Sequence, residues 1–102
     1  MSTQADSEMT PARAAMDRLG VSVSDVMQAT KMARRTVYKC VNGDPVSTMM
    51  VARFLGYSGF TDAERVDIIE ARGLVPMMMS GMVVGLGAGE GQPMTTIVRG
   101  RG

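Results

Sequence analysis

Residues 22–43 read SVSDVMQATKMARRTVYKCVNG, and the spacing within them decides the fold. Ser22 stands where a helix N-cap belongs, and Asp25 three residues on completes a capping-box arrangement. Val23, Val26 and Met27 give a short helix its buried face, and Thr30 to Met32 make a break. A second helix is expected over about 33–41, with Val37, Cys40 and Val41 as its apolar stripe, before Asn42-Gly43-Asp44 turns the chain. Two short helices joined this closely pack at a steep angle only when particular positions are apolar, and Val26, Met32, Val37 and Cys40 fill them. The outward face of the second helix carries Arg34, Arg35, Tyr38 and Lys39.

Three more helices flank this pair. Thr10-Pro11 gives a cap followed by proline, Ala12, Ala15, Met16 and Leu19 carry the helical period, and Gly20 stops it. Asp44-Pro45 repeats the cap-then-proline signal for a fourth helix with Met49, Ala52, Phe54 and Leu55 available for burial, ending at Gly56. Thr61 and Glu64 form a capping box for a fifth, with Ala63, Val66, Ile69 and Ile68 as its stripe and Gly73 as its stop. Residues 1–9 are polar and are expected to be disordered. After Gly73 the composition shifts to Gly, Met and Val. Two strand-like runs, about 77–84 and 94–98, lie around a Gly-rich loop at 85–92, and they fit a hairpin or a flexible tail. The domain organisation expected is therefore 1–9, a helical domain at 10–73 and an extension at 74–102.

At 102 residues one domain is the default. Cys40 is the single cysteine, so no internal disulfide can form, and a reducing, cytoplasmic setting is expected. There is no histidine, which removes the commonest general base and metal ligand. No basic-then-apolar leader opens the chain, so no signal peptide is expected, and no uncharged apolar run reaches the roughly 20 residues of a membrane span. The net charge of +1 hides an uneven distribution. Residues 11–55 carry seven cations against three anions, and four of those cations, Lys31, Arg34, Arg35 and Lys39, fall within nine residues. Local clustering of this kind matters more for phosphate than the total does.

The string Ala33-Arg34-Arg35-Thr36-Val37-Tyr38-Lys39-Cys40-Val41-Asn42-Gly43 resembles the recognition helix and exit turn of the lambda repressor and Cro-like (XRE-type) helix-turn-helix family. Val46 to Gly56 is similar to that family's fourth helix, with its closing Leu-Gly. The resemblance covers roughly residues 10–57. The family usually has a small residue where Met27 stands, glycine where Lys31 stands and often an aromatic where Cys40 stands. The resemblance implies a mainly α, about five-helix, lambda-repressor-like domain that binds double-stranded DNA in the major groove, here with a Met- and Gly-rich extension.

On that basis Arg34 and Arg35 are expected to meet base edges, arginine on guanine being the commonest specific contact in the major groove. Thr36 would touch a thymine methyl or a phosphate. Tyr38 would bond a phosphate or merely cover the helix. Lys31 and Lys39 suit phosphate contacts. Asn42 looks like a phosphate contact at the helix exit, or else a turn residue tolerant of positive φ. Ser22 and Ser24 head the first helix of the pair, where backbone N–H groups can approach phosphate, although Ser22 reads first as a cap. Cys40 reads as a buried thiol. Met77, Met78, Met79 and Met82 would line a partner surface, most simply a dimer interface, or hold a soft metal. Arg99 and Arg101 offer only a weak nucleic-acid signal.

The function expected is a sequence-specific transcription regulator, a repressor acting as a homodimer on a two-fold operator, of phage, plasmid or bacterial type. The alternative is an antitoxin-like or adaptor protein whose first half binds DNA and whose residues 74–102 bind another protein. An enzyme is not expected, because Asp62, Glu64, Asp67 and Glu70 read as the polar face of a helix and the glycines at 85–91 lack the Lys-Ser/Thr of a P-loop. No cofactor is expected.

Overall fold

The structure is a computed structural model that describes residues 9–89 and 95–97. Five helices come first among the described residues: α1 (Pro11–Leu19), α2 (Val23–Thr30), α3 (Arg34–Asn42), α4 (Thr48–Leu55) and α5 (Asp62–Ala71). An antiparallel sheet follows, β1 (Val75–Met79), β2 (Met82–Gly87) and β3 (Thr95–Thr96), in spatial order β1-β2-β3. The chain is thus mainly α with a short hairpin and a third strand. The expectations of disorder over 1–8 and of a role for Arg99 and Arg101 lie outside the described residues.

The helix starts follow local chemistry. Thr10, Ser22, Ser47 and Thr61 each accept a hydrogen bond from a backbone N–H of the first turn, and Ser22/Asp25 and Thr61/Glu64 form full capping boxes. One expected start moves. Asp44-Pro45 does not open α4; the helix begins at Thr48, because Ser47 supplies the capping oxygen to Met50. Met49 consequently points outward and is 66% exposed, and Val51 takes the buried position instead. In α5, Ala63 is exposed, Val66 is half-buried, and Ile68 and Ile69 carry the burial with Arg65.

Arg65 is a buried cation that the apolar pattern does not announce. Its Nε donates to the Leu55 carbonyl at 2.7 Å and its Nη2 to the Tyr57 carbonyl at 3.0 Å, both at the end of α4. Helix C-termini leave carbonyls unsatisfied, and a guanidinium suits them in geometry and in charge. Asp62 lies 3.5 Å from Arg65 and also accepts from the Val83 N–H at 3.0 Å, so one carboxylate joins α5 to the hairpin.

The extension differs from its expected form. The run 77–84 is not one strand: Ser80 and Gly81, with φ of 52° and 80°, make a two-residue turn between Met79 and Met82. The supposed loop at 85–92 begins inside β2, which continues to Gly87. Gly85 has a specific reason to be glycine, since a Cβ there would stand 2.7 Å from the Thr95 carbonyl oxygen of β3. A register shift opposes Met78 to Val83 but Met77 to Gly85, leaving Val84 as the extra residue of a bulge. The bulge resets the alternation, so Val83 and Leu86 both face inward although three positions separate them.

Val83, Leu86 and Ile97 enter the same core as Val26, Val37, Val41, Phe54, Leu55 and Ile69. The sheet therefore completes the helical core and does not stand apart from it. No helix among the described residues is long and apolar enough to cross a membrane.

Candidate nucleic-acid interface

The candidate surface is built on α2, the Lys31–Ala33 turn and α3. The core holds it from below through Val26, Met32, Val37, Cys40 and Val41, each 6% exposed or less, and Met27 packs half-buried against them. The turn has the left-handed residue that such a reversal needs. Lys31 adopts φ 61°, and its N–H returns to the Met27 carbonyl. Glycine meets that demand without strain; here a lysine does so, and its side chain stays exposed.

The end of α3 is tied down from three directions. The Thr10 hydroxyl accepts from the Arg13 N–H at 3.1 Å while donating to the Val41 carbonyl. Arg13 Nη2 donates to the Asn42 side-chain oxygen at 3.1 Å. Arg72 reaches the Cys40 carbonyl at 3.4 Å and the Asp44 carbonyl. The bonds to Val41 and Cys40 satisfy carbonyls of the last turn that the helix itself leaves open, and those to Asn42 and Asp44 fix the exit beyond them. None of the three partners is recognisable from local sequence, because each contact joins residues about thirty apart; Thr10 signals only its own cap.

The start of α3 is left free. Ala33 is its N-cap and makes no side-chain capping bond, whereas each of the other four described helices has one. Backbone N–H groups of the first turn, where helices favour anions, thus meet no capping side chain. Arg34, Arg35, Tyr38, Lys39 and Asn42 are exposed and Thr36 is half-buried. Arg34 Nη2 donates to Ser24 Oγ at 3.2 Å, which links the two helices across their outer face. No carboxylate comes within ion-pair distance of Lys31, Arg34, Arg35 or Lys39 among the described residues; the two ion pairs there are Arg18–Glu64 and Arg65–Asp62.

The structure therefore brings Ser24, Lys31, Arg34, Arg35, Tyr38 and Lys39 onto the surface of one helix pair. Asn42 lies at the far end with its oxygen already engaged. Ser22 is occupied as the α2 cap. Cys40 is buried, and burial pushes its thiol up to about 11, with the Arg72 charge opposing only in part; a thiolate nucleophile is disfavoured there. A groove of about 360 Å³ lies beside the turn, between Ala29, Lys31, Met49, Ala52, Arg53 and the strand β3. None of its described lining residues is a carboxylate. No group of three or more His, Cys, Asp or Glu able to hold a metal occurs among the described residues.

No family model, curated protein or solved structure matches the chain. The surface is a cationic helix face backed by the core, without ion-pair partners among the described residues and with no side-chain cap at its N-terminus.

Proposed function

We propose that this chain is a sequence-specific double-stranded DNA-binding regulator, a repressor that acts as a homodimer on a two-fold operator. In this proposal α2, the turn and α3 form a lambda-repressor-like helix-turn-helix, and α3 enters the major groove N-terminus first. The observation that carries it is the contrast between the two ends of α3. Its exit is braced by Thr10, Arg13 and Arg72, and its entry is uncapped, with Arg34 and Arg35 exposed and without an ion-pair partner among the described residues. A helix fixed at one end and open at the other can carry long side chains to base edges without losing its register.

Arg34 and Arg35 read bases, with Ser24 orienting Arg34. Lys31 and Lys39 hold phosphates on either side, and Thr36, Tyr38 and Asn42 complete the contact. Selection from a random duplex pool with the full chain tests the proposal. Enrichment of a short motif repeated with two-fold symmetry is expected. No enrichment, or the same enrichment by an Arg34→Ala/Arg35→Ala double variant, sinks it. A second reading, an adaptor or antitoxin-like protein that binds DNA with its helices and another protein with its extension, draws on the exposed methionines of the hairpin.

A further inference from the structure

The hairpin gives one face to the core and leaves the other bare. Side chains alternate along a strand, so Val75, Met77 and Met79 share one face of β1 while Pro76 and Met78 share the other. Met79 pairs directly with Met82 of β2, which puts Met82 on the face of Met77 and Met79. Pro76 and Met78 pair instead with Leu86 and Val83, both buried in the core. On the bare face Met77, Met79 and Met82 are 40–63% exposed.

Three thioethers thus form a triangle beside the Ser80-Gly81 turn. A directly opposed pair such as Met79 and Met82 has its Cβ atoms about 5 Å apart, and a diagonal pair such as Met77 and Met82 about 7–8 Å. Met77 and Met79, two residues along one strand, are separated by about 7 Å. Each sulfur lies two bonds beyond its Cβ on a side chain with three rotatable bonds, so all three can reach one point above the sheet without moving the backbone.

Strand faces that serve only to be apolar are ordinarily built from β-branched and aromatic residues, and methionine is neither. What methionine has, and valine or leucine lacks, is a soft and uncharged donor atom. No residue from Gly73 to Gly89 is charged, so the hairpin brings no carboxylate of its own to attract a hard divalent ion. Thioether donors select Cu(I), whereas magnesium, calcium and manganese need oxygen ligands.

We propose that Met77, Met79 and Met82 form a three-thioether site for a soft monovalent cation, Cu(I). Each sulfur donates a lone pair to the metal; no electron is transferred and no proton is displaced, because a thioether carries none. Binding is therefore the same at mildly acid and at neutral pH, where a thiolate or imidazole site would lose metal to protons. The site depends neither on the reading of the α3 face nor on a second copy of the chain.

The test titrates the full chain with Ag(I), a redox-inert stand-in, while methyl NMR signals of the methionines are followed. One equivalent is expected to shift Met77, Met79 and Met82 together and to leave Met78 in place. Anaerobic competition with a chromophoric Cu(I) chelator then gives the affinity. Met77→Leu, Met79→Leu and Met82→Leu preserve volume and apolarity and remove only the sulfur. Each should weaken Cu(I) by about tenfold or more, since even an outer-shell partner of a metal site is worth that much. Met78→Leu and Cys40→Ala should leave it unchanged. The proposal is overturned if neither ion binds, if the three leucine variants bind as the parent does, or if Cys40→Ala abolishes binding. Affinity that collapses on mild acidification overturns it too, and needs no variant to fold.

Discussion

The outward face of α3 and the outward face of the hairpin are made by opposite means. The first exposes cations that form no ion pair among the described residues, on a helix whose buried side is braced by Val37, Cys40, Val41 and three long-range hydrogen-bond partners. The second exposes apolar side chains in a stretch without charged residues, on a strand whose outer edge pairs with no described strand. Each violates a different rule of an inert surface: unneutralised like charges repel, and exposed apolar edges adhere. The molecule thus carries a charged face and an apolar face, kept apart, on a single shared core.

Both faces rest on one core, so damage to that core should reach both. Leu86 is fully buried from the sheet side against the helical core. Leu86→Ala should destabilise the whole chain by about 2–5 kcal/mol, as core truncations of this size do. Helical and tertiary signals should melt together in urea. A chain ending at Gly73 should fail to fold, since it loses Val83, Leu86 and Ile97 from one core. Separate transitions for helices and sheet would show two independent regions.

The next largest effect is confined to the α3 face. Arg34→Ala with Arg35→Ala should remove the preference for the selected site, each bidentate contact contributing roughly 1–3 kcal/mol, with no change in the sedimentation of the free protein. Fluorescence anisotropy with specific and scrambled duplexes measures it. Equal loss on both duplexes would make the two arginines phosphate contacts only.

Much of this was legible in the sequence, and what was not has particular causes. The five helices, the caps at Thr10, Ser22 and Thr61, and the stripe of α3 follow from local spacing. The α4 start was misplaced because Asp44-Pro45 imitates a cap while Ser47, three residues beyond Asp44, supplies the oxygen. The hairpin was blurred because the bulge at Val84 breaks the two-residue period and because glycines that look like a loop belong to a strand. The outward residues of α3 were readable as a patch, but not their setting. The Arg13–Asn42 and Arg72–Cys40 bonds and the burial of Arg65 exist only once distant segments meet.

The helical frame itself should respond to acid. Arg18 donates to Glu64 at 2.8 Å, joining α1 to α5 away from both faces. That hydrogen bond holds the Glu64 carboxyl down at about 2, from an ordinary 4.5. A carboxyl lowered on folding adds stability above its unfolded value and loses it as pH falls through the folded one. The contribution should therefore be full above about pH 4.5 and vanish toward pH 2. Urea midpoints across that window should fall less steeply in Glu64→Gln than in the parent. Parallel acid limbs would remove Glu64 as the cause.

A smaller effect separates phosphate contact from base contact on α3. Lys39→Ala should weaken specific and scrambled duplexes alike and reduce the slope of log affinity against log salt by about 1. A change restricted to the specific duplex would place Lys39 on a base instead.

Lys31 allows the finest test, because two physical effects act on it with opposite sign. Its left-handed φ of 61° strains any residue with a Cβ, so Lys31→Gly should raise folding stability by about 1 kcal/mol. The same change removes an exposed cation beside the entry of α3, and DNA affinity should fall with a slope loss of about 1 in salt titrations. A lysine kept only as a turn residue would show the gain in stability without the loss in binding. A lysine kept for phosphate would show both, since the strain would then be held in place by the contact it makes. Thermal melts and anisotropy on the same preparation distinguish the two outcomes. Unchanged affinity at low salt would remove Lys31 from the candidate surface and narrow that surface to α3 with Ser24.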